Sequence, residues 1–209
     1  MKILFVVAKL PKIGSMKDNY TIGINFLHSD TSACIFKDNV LIAATEEERF
    51  IRVKHTSLFP ENSIKFCLNE ANIKLSDVKN ISINSNPFNS IFKKIFFILK
   101  NPKSYQIFLQ SLKNTKNKIS LRDQILKIDK INKFRGKIRF IDHHQAHIAS
   151  SAYFSGFSNS INVSIDGFGD FASSAWGTNN NGKYKTFNKI YFPHSLGILY
   201  QSLTQFLGF

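Results

Sequence analysis

Residues 21–47 read TIGINFLHSDTSACIFKDNVLIAATEE and hold three short runs rich in apolar and β-branched residues. Such runs, bounded by polar turn residues, are typical of β-strands. Asp38 and Asn39 separate the second run from the third and favour a tight hairpin turn. The stretch therefore predicts a three-stranded meander at the start of an α/β domain.

Helices and strands are predicted to follow this meander. Apolar side chains recur at helical spacing after Pro60, a residue that suits the first turn of a helix. Two later stretches, VKNISINS and KIRFIDH, have the composition of strands. The predicted strands lie at 78–85 and 137–143, and the predicted helical stretches at 61–72, 88–132 and 143–154.

The same order of elements begins again near Asn159. Three strand patterns precede a helix for which Ser195 is the expected N-cap. The first pattern is expected to end in a glycine-rich turn at 166–170, and NNNGK marks a hairpin between the second and third. These strands are predicted at 161–170, 172–179 and 183–192.

Strand–strand–strand–helix thus occurs twice, which predicts two related halves. Residues 21–157 form the first half and residues 158–209 begin the second, whereas residues 1–20 are a leader or an extra strand. A basic helical segment is predicted at 91–140, because it holds 14 of the 28 basic residues and only two of the 14 acidic ones. Its lysines are expected to face solvent, and its Ile and Phe side chains to cover the sheet or a missing partner.

Composition excludes several classes of protein. Hydrophobic residues make up 43% of the 209 residues, which argues against disorder. No apolar run approaches the roughly 20 residues needed to cross a bilayer, so no membrane insertion is expected. Zinc-finger spacing and RNA-binding motifs are absent, so the sequence does not favour a nucleic-acid partner. Two cysteines form no disulfide framework, which indicates a reduced, cytoplasmic protein.

The strongest chemical motif is DHHQAH at residues 142–147. His143 and His147 are four residues apart, so on a helix they share one face and can bind one metal ion. His144 points elsewhere. Asp166 is followed by glycine, a pattern that presents a carboxylate to a metal or phosphate, although it also occurs in ordinary turns. Two imidazoles and one carboxylate suit iron(II), with manganese and zinc as alternatives.

Two further stretches are candidates for anion binding. GINFLHSDTSA at 23–33 is either a simple hairpin loop or a phosphate-binding turn in which His28 accepts a proton. EEERFIRVKH at 46–55 places Arg52, Lys54 and His55 after three acidic residues. These cations either bind an anion or belong to a surface ion-pair network.

Taken together, the motifs resemble the carbamoyltransferase family of nodulation-factor, cephamycin and tobramycin biosynthesis. The resemblance runs from about Gly23 to Phe209 and includes the stretches above, together with SIDGFGDFASSAW and FPHSLGILYQSLTQFLGF. It implies an actin/sugar-kinase-like (RNase H-like) ATPase fold, with the first half complete and the second truncated. Residues 91–140 match only loosely.

The resemblance also implies the chemistry. Family members use ATP to transfer a carbamoyl group from carbamoyl phosphate to a hydroxyl acceptor, which here would be a small molecule or sugar. The metal ligands fall on His143, His147 and Asp166, and the catalytic base on His28. Asp30, Arg52, Lys54 and His55 become the expected substrate- and anion-binding residues. The partners implied are further carboxy-terminal domains, including a YrdC-like one, or a chain that supplies them.

Two alternatives stay open from the sequence. One is a non-catalytic nucleotide- or metal-binding module. The other is a tRNA-modifying relative of the same ATPase superfamily, which shares the spaced histidine pair and would suit the basic segment. The EEERF and PHSLG matches favour small-molecule carbamoylation.

Overall fold

We describe the fold from a computed structural model, which covers residues 18–26, 28–86, 88–102 and 121–209. The predicted meander consists of β1 (Tyr20–Asn25), β2 (Ser32–Lys37) and β3 (Val40–Glu46), paired antiparallel. Asp38 and Asn39 form the predicted turn, both with positive φ (48° and 75°). Of the leader or extra strand predicted at 1–20, residues 1–17 lie outside the described residues, and Tyr20 already begins β1.

Two parallel strands complete the first sheet. β4 pairs parallel with β1, and β5 pairs parallel with β4, which gives the order β3-β2-β1-β4-β5. Parallel neighbours need crossover connections, and helices supply them. This strand order agrees with the RNase H-like fold that the resemblance implies. In chain order the elements are α1 (Glu48–Ile51), α2 (Glu61–Glu70), a 3-10 turn (Leu75–Asp77), β4 (Val78–Ile83), α3 (Ile91–Lys100), α4 (Leu121–Ile128) and β5 (Lys137–Phe140).

The first sheet carries the main core. Side chains from the central strands β1 and β4 are fully buried, among them Ile22, Ile24 and Ile81. Ile64 of α2 and Ile125 of α4 pack into the same cluster. Burial of these aliphatic side chains stabilises the sheet by roughly 1.5–3 kcal/mol each. The sheet is therefore a rigid support for the loops at its strand ends.

A second sheet follows the helix that carries the histidine motif. It is antiparallel, in the order β6-β7-β8. Asn181 and Gly182, both with positive φ, form the predicted hairpin, and the Ser195 Oγ accepts a hydrogen bond from the Ile198 N–H at 3.1 Å as the predicted N-cap. The elements are α5 (His143–Ser155), β6 (Asn159–Gly169), β7 (Ala172–Asn180), β8 (Lys183–Tyr191) and α6 (Leu196–Phe206). The boundary between the halves at 157/158 stays a prediction.

The glycine-rich turn expected at 166–170 is wrong in its position. β6 continues to Gly169, and the turn falls on Asp170 and Phe171, whose φ angles are 51° and 70°. The pairing register with β7 shifts between Ile165 and Gly169. The glycines are therefore accommodated in an irregular, bulged stretch of the strand, and such bulges redirect side chains near functional sites.

The two described helices of the basic segment at 91–140 differ in how far their apolar side chains are buried. Residues 103–120 of the segment lie outside the described residues. α4 buries Leu121 and Ile125 against the first sheet, as predicted. α3 leaves Phe92 and Leu99 exposed, at 88% and 74%, so these two side chains do not cover the sheet, and the predicted alternative of a missing partner stays a prediction. Among the described residues, no helix combines the length and apolarity needed to cross a membrane.

Candidate metal centre and substrate site

Helix α5 presents the two predicted histidine ligands side by side. The Asp142 carboxylate caps the helix by accepting the Gln145 N–H at 3.0 Å. His143 and His147 are one helical turn apart, and their Nε2 atoms lie 3.1 Å from each other. The spacing read from the sequence thus brings two imidazole nitrogens to one point.

Asp166 reaches the same point from strand β6. Its Oδ2 lies 2.8 Å from the His143 Nε2 and 3.3 Å from the His147 Nε2. Hydrogen bonds from His143 and then His147 hold the pKa of the Asp166 carboxyl well below its usual range, so it is ionised. All three ligand atoms lie within 4.8 Å of one another.

The second ring nitrogen of His143 supports a metal-binding role. His143 Nδ1 lies 3.3 Å from the Asn84 backbone oxygen, which can only accept a hydrogen bond. This contact engages Nδ1, so that Nε2 is the ring nitrogen that faces Asp166. A cation fits between such a nitrogen and a carboxylate, and a backbone carbonyl behind a histidine is a common support for metal ligands. The donor set is thus compatible with a metal.

His144 faces away from this cluster, as its helical position predicts. It is buried, and its Nδ1 lies 2.8 Å from the Ser164 hydroxyl. Burial lowers the pKa of His144, which favours the neutral ring. His144 therefore joins α5 to β6 and is a structural residue.

The start of α5 is also tied to the second sheet by an ion pair. The Lys189 ammonium on β8 contacts the Asp142 carboxylate, which the Asn89 amide also contacts. Burial opposes ionisation of Asp142, but Lys189 outweighs it and the pKa of Asp142 is lowered. Sequence reasoning missed this pair, because its members are 47 residues apart.

The remaining predicted site residues fall into two groups. His28, in the loop after β1, has its ring centroid 5.0 Å from that of His143, so it lies beside the candidate metal ligands. Asp30, in the same loop, has its Oδ1 2.9 Å from the His55 Nδ1. Arg52 and Lys54 are exposed on the segment after α1. The loop thus joins His28, near the histidine pair, to Asp30, near the cationic segment.

The acidic run at 46–48 was interpreted as part of a possible surface ion-pair network, and for Glu47 this is wrong. It is buried, and its carboxylate accepts four hydrogen bonds, from the N–H and side chain of Asn62 and of Ser63, at 2.7–3.1 Å. Both residues belong to the first turn of α2, whose N–H groups lack partners within the helix. Glu47 is therefore an internal cap of α2, and it takes no part in a surface ion-pair network.

Asp170 was also missed as a candidate residue, although it ends the quoted SIDGFGD motif. Its carboxylate accepts hydrogen bonds from the Ser85 hydroxyl and from the backbone N–H groups of Asn86 and His143. These partners come from elements distant along the chain, so sequence spacing could not indicate them.

Comparison with known proteins places the chain in the family that its motifs resemble. The family model described as "Carbamoyltransferase N-terminus" matches residues 20–209. The nodulation protein NolNO of Sinorhizobium fredii is 31% identical over 186 residues, which cover 88% of this chain and 26% of NolNO. The uncharacterized protein sll1178 of Synechocystis is 31% identical over 198 residues, 91% of this chain and 32% of that protein. The chain thus spans a third or less of the length of these relatives.

Solved structures with similar backbones have little sequence in common with this chain. YeaZ from Pseudomonas aeruginosa has a TM-score of 0.44 and 11% identity, covering 81% of this chain and 64% of that one. The ROK hexokinase from Thermus thermophilus has a TM-score of 0.42 and 10% identity, covering 79% of this chain and 47% of the hexokinase.

Proposed function

Because this chain belongs to the carbamoyltransferase N-terminus family, we propose that it is the amino-terminal part of an ATP-dependent O-carbamoyltransferase. The reaction moves a carbamoyl group from carbamoyl phosphate to a hydroxyl of a small molecule or sugar. The observation that carries the proposal is the position of His28 beside His143, at the edge of the cluster formed with His147 and Asp166. A proton acceptor and three ligand atoms for a cation thus share one site.

The metal ligands proposed are His143, His147 and Asp166. Iron(II) is the first choice, with manganese or zinc as alternatives, because each accepts mixed nitrogen and oxygen ligands. A bound divalent ion would neutralise phosphate charge and fix the position of a phosphorylated substrate. The Asn84 carbonyl contributes by holding the Nδ1 side of His143, which leaves Nε2 directed at the site.

His28 is proposed to act as the general base. A neutral hydroxyl is a poor nucleophile, so His28 accepts its proton while the oxygen forms a bond to the carbamoyl carbon and the phosphate-bearing group departs. Such assistance contributes roughly 10²–10⁴-fold to a rate. The β1–β2 loop holds His28 next to the ring of His143, which favours this role.

Asp30, Arg52, Lys54 and His55 are proposed as the substrate- and anion-binding residues, with Arg52, Lys54 and His55 contacting the phosphates of ATP or carbamoyl phosphate. Three of these side chains carry or can acquire positive charge, and all three are exposed. Asp30 contacts the ring of His55 and so orients it. Replacement of both Arg52 and Lys54 by Ala is expected to weaken ATP binding by about tenfold, equivalent to two surface charge contacts.

The proposed enzyme works in the cytoplasm and needs more than the residues of this chain. Its partners are carboxy-terminal domains or a chain that supplies them, because the matched relatives are at least three times as long as the matched region. A nucleic-acid partner is not part of the proposal. Tight RNA binding that weakens steeply with salt would instead favour the tRNA-modifying alternative.

The test of the function is a transfer assay with ATP, radiolabelled carbamoyl phosphate and a panel of hydroxyl acceptors. We expect no transfer by the chain alone, and transfer when the region of the Sinorhizobium fredii relative beyond the match is supplied. His28→Ala should slow that transfer by roughly 10²–10⁴-fold, whereas His194→Ala, at an exposed histidine, should leave it unchanged. Transfer by the chain alone would contradict the need for a partner, and failure of the combined proteins to transfer or bind ATP would contradict the function.

A further inference from the structure

Asp170 collects hydrogen bonds from two elements that surround the candidate metal ligands. Its Oδ2 accepts the backbone N–H of His143 at 2.9 Å and that of Asn86 at 2.8 Å. Its Oδ1 accepts the Ser85 hydroxyl at 2.6 Å. The carboxylate therefore joins the β6–β7 turn, the start of α5 and the segment that follows β4.

Each of these contacts brings a hydrogen-bond donor to the carboxylate oxygens. The His143 N–H is the first of helix α5, and such a group has no acceptor within its own helix. The positive end of the helix dipole also stabilises a negative charge there. Asp170 itself has φ 51°, a left-handed conformation that Asp adopts more readily than most residues.

These contacts connect the elements that carry the three ligands of the cluster. Asp170 lies four residues after Asp166 in the same hairpin, and it binds the helix that carries His143 and His147. It also binds the residues next to Asn84, whose carbonyl contacts the His143 Nδ1. A shift of α5 relative to β6 would change the distances from Asp166 to both histidines.

We propose that Asp170 is a positioning residue that sets the distance between the histidine pair on α5 and the Asp166 carboxylate on β6. This inference rests on the proposed metal site. In this proposal Asp170 acts through the backbone of His143 and through the segment at Ser85 and Asn86.

The test is Co²⁺ titration of the purified chain, followed by the visible absorption of the bound ion, which reports ligand number and geometry. Asp170→Asn keeps the shape of the side chain but replaces one acceptor oxygen by an NH₂ group. Either the Ser85 hydroxyl then loses its acceptor, or the two backbone N–H groups face another donor. We expect Co²⁺ affinity to fall about 10–100-fold, as for other residues that orient metal ligands, together with a shifted spectrum.

Asp129→Asn is the matched control. Asp129 also accepts two backbone N–H groups, from Ile131 and Asn132 at 2.9 and 2.8 Å, but in a separate turn. It should leave the Co²⁺ spectrum and affinity unchanged. Ser85→Ala keeps the Asp170 carboxylate and removes one of its contacts, so it should shift the spectrum in the same direction by a smaller amount.

Wild-type affinity and spectrum in a folded Asp170→Asn variant would overturn the inference. If Asp170→Asn does not fold, Ser85→Ala decides: a spectrum like that of the wild type overturns the inference, and a shifted one supports it. Failure of the wild-type chain itself to bind Co²⁺ would overturn the proposed metal site, and this inference with it.

Discussion

At the scale of single residues, Gly169 and His143 are in close contact. A Cβ added at Gly169 would lie 2.0 Å from the His143 Cδ2, so the imidazole would have to move. Gly169→Ala should therefore lower metal affinity by about 10–100-fold and the free energy of unfolding by about 1–3 kcal/mol. Gly167→Ala is the control, since its nearest neighbour would be the Ile198 side chain at an ordinary 3.5 Å. Equal effects of the two substitutions, measured by metal titration and denaturant unfolding, would contradict this.

Cys67 gives a second prediction at this scale. Burial raises the pKa of its thiol to about 12. An unfolded thiol titrates near pH 8.5, so about there and above the unfolded chain binds fewer protons than the folded one and stability falls with rising pH. Cys67→Ser should remove this part of the decline in the free energy of unfolding between about pH 8.5 and 10. An unchanged slope in urea unfolding across that range would count against it.

Sequence spacing predicted the proximity of those candidate residues that are close together along the chain. A spacing of four residues on a helix brought His143 and His147 together, whatever the rest of the fold. By contrast, the partners of Asp170 and of Asp142 come from other strands and loops, and only tertiary structure brings them close. Sequence spacing carries no information about such contacts.

At the scale of elements, α2 depends on a residue outside itself. Glu47 accepts four hydrogen bonds from Asn62 and Ser63 at the start of the helix. In Glu47→Gln, an NH₂ group must face at least one N–H donor in either orientation of the amide. We expect the free energy of unfolding to fall by about 1–3 kcal/mol. The control is Glu48→Gln, at the neighbouring and less buried residue, which should change the free energy of unfolding by less than about 0.5 kcal/mol. Chemical denaturation measures both variants, and equal losses of stability would contradict the prediction.

Strand β6 shows where element prediction is limited. Its composition predicted a strand and its glycines predicted a turn, but the strand continues through Asp166 to Gly169. Glycine is compatible with both a turn and a bulge, and pairing with β7 decides between them. The meander at 20–46 was easier to predict, because the apolar runs indicate strands and the Asp38–Asn39 pair indicates a turn at the same boundary.

At the scale of the whole molecule, the second sheet leaves an apolar face exposed. Residues of β6 alternate, with polar Asn162 and Ser164 buried toward α5, and apolar Ile161 and Val163 exposed at 78% and 60%. Exposed apolar faces of this kind promote association. The sequence predicted that β6 is a strand. Which of its two faces is buried depends on the packing of α5, which covers the polar face.

The chain by itself should therefore associate as its concentration rises. Val163→Lys should reduce this association, because a charge on the apolar face is costly to cover. Asn69→Lys, at an exposed position on α2 beside the first sheet, adds the same charge away from this face and should have little effect. Light scattering over a concentration series measures both, and a monomeric wild type throughout the series would show the expectation to be wrong.

The central claim is that His143, His147 and Asp166 hold a single divalent ion. Its most direct test is the metal content of the purified chain after equilibration with iron(II), measured by elemental analysis for the wild type and for a His143→Ala/His147→Ala double variant. We expect about one ion per wild-type chain, as for a cluster of three ligands, and essentially none in the double variant. An unchanged metal content in the double variant would contradict it.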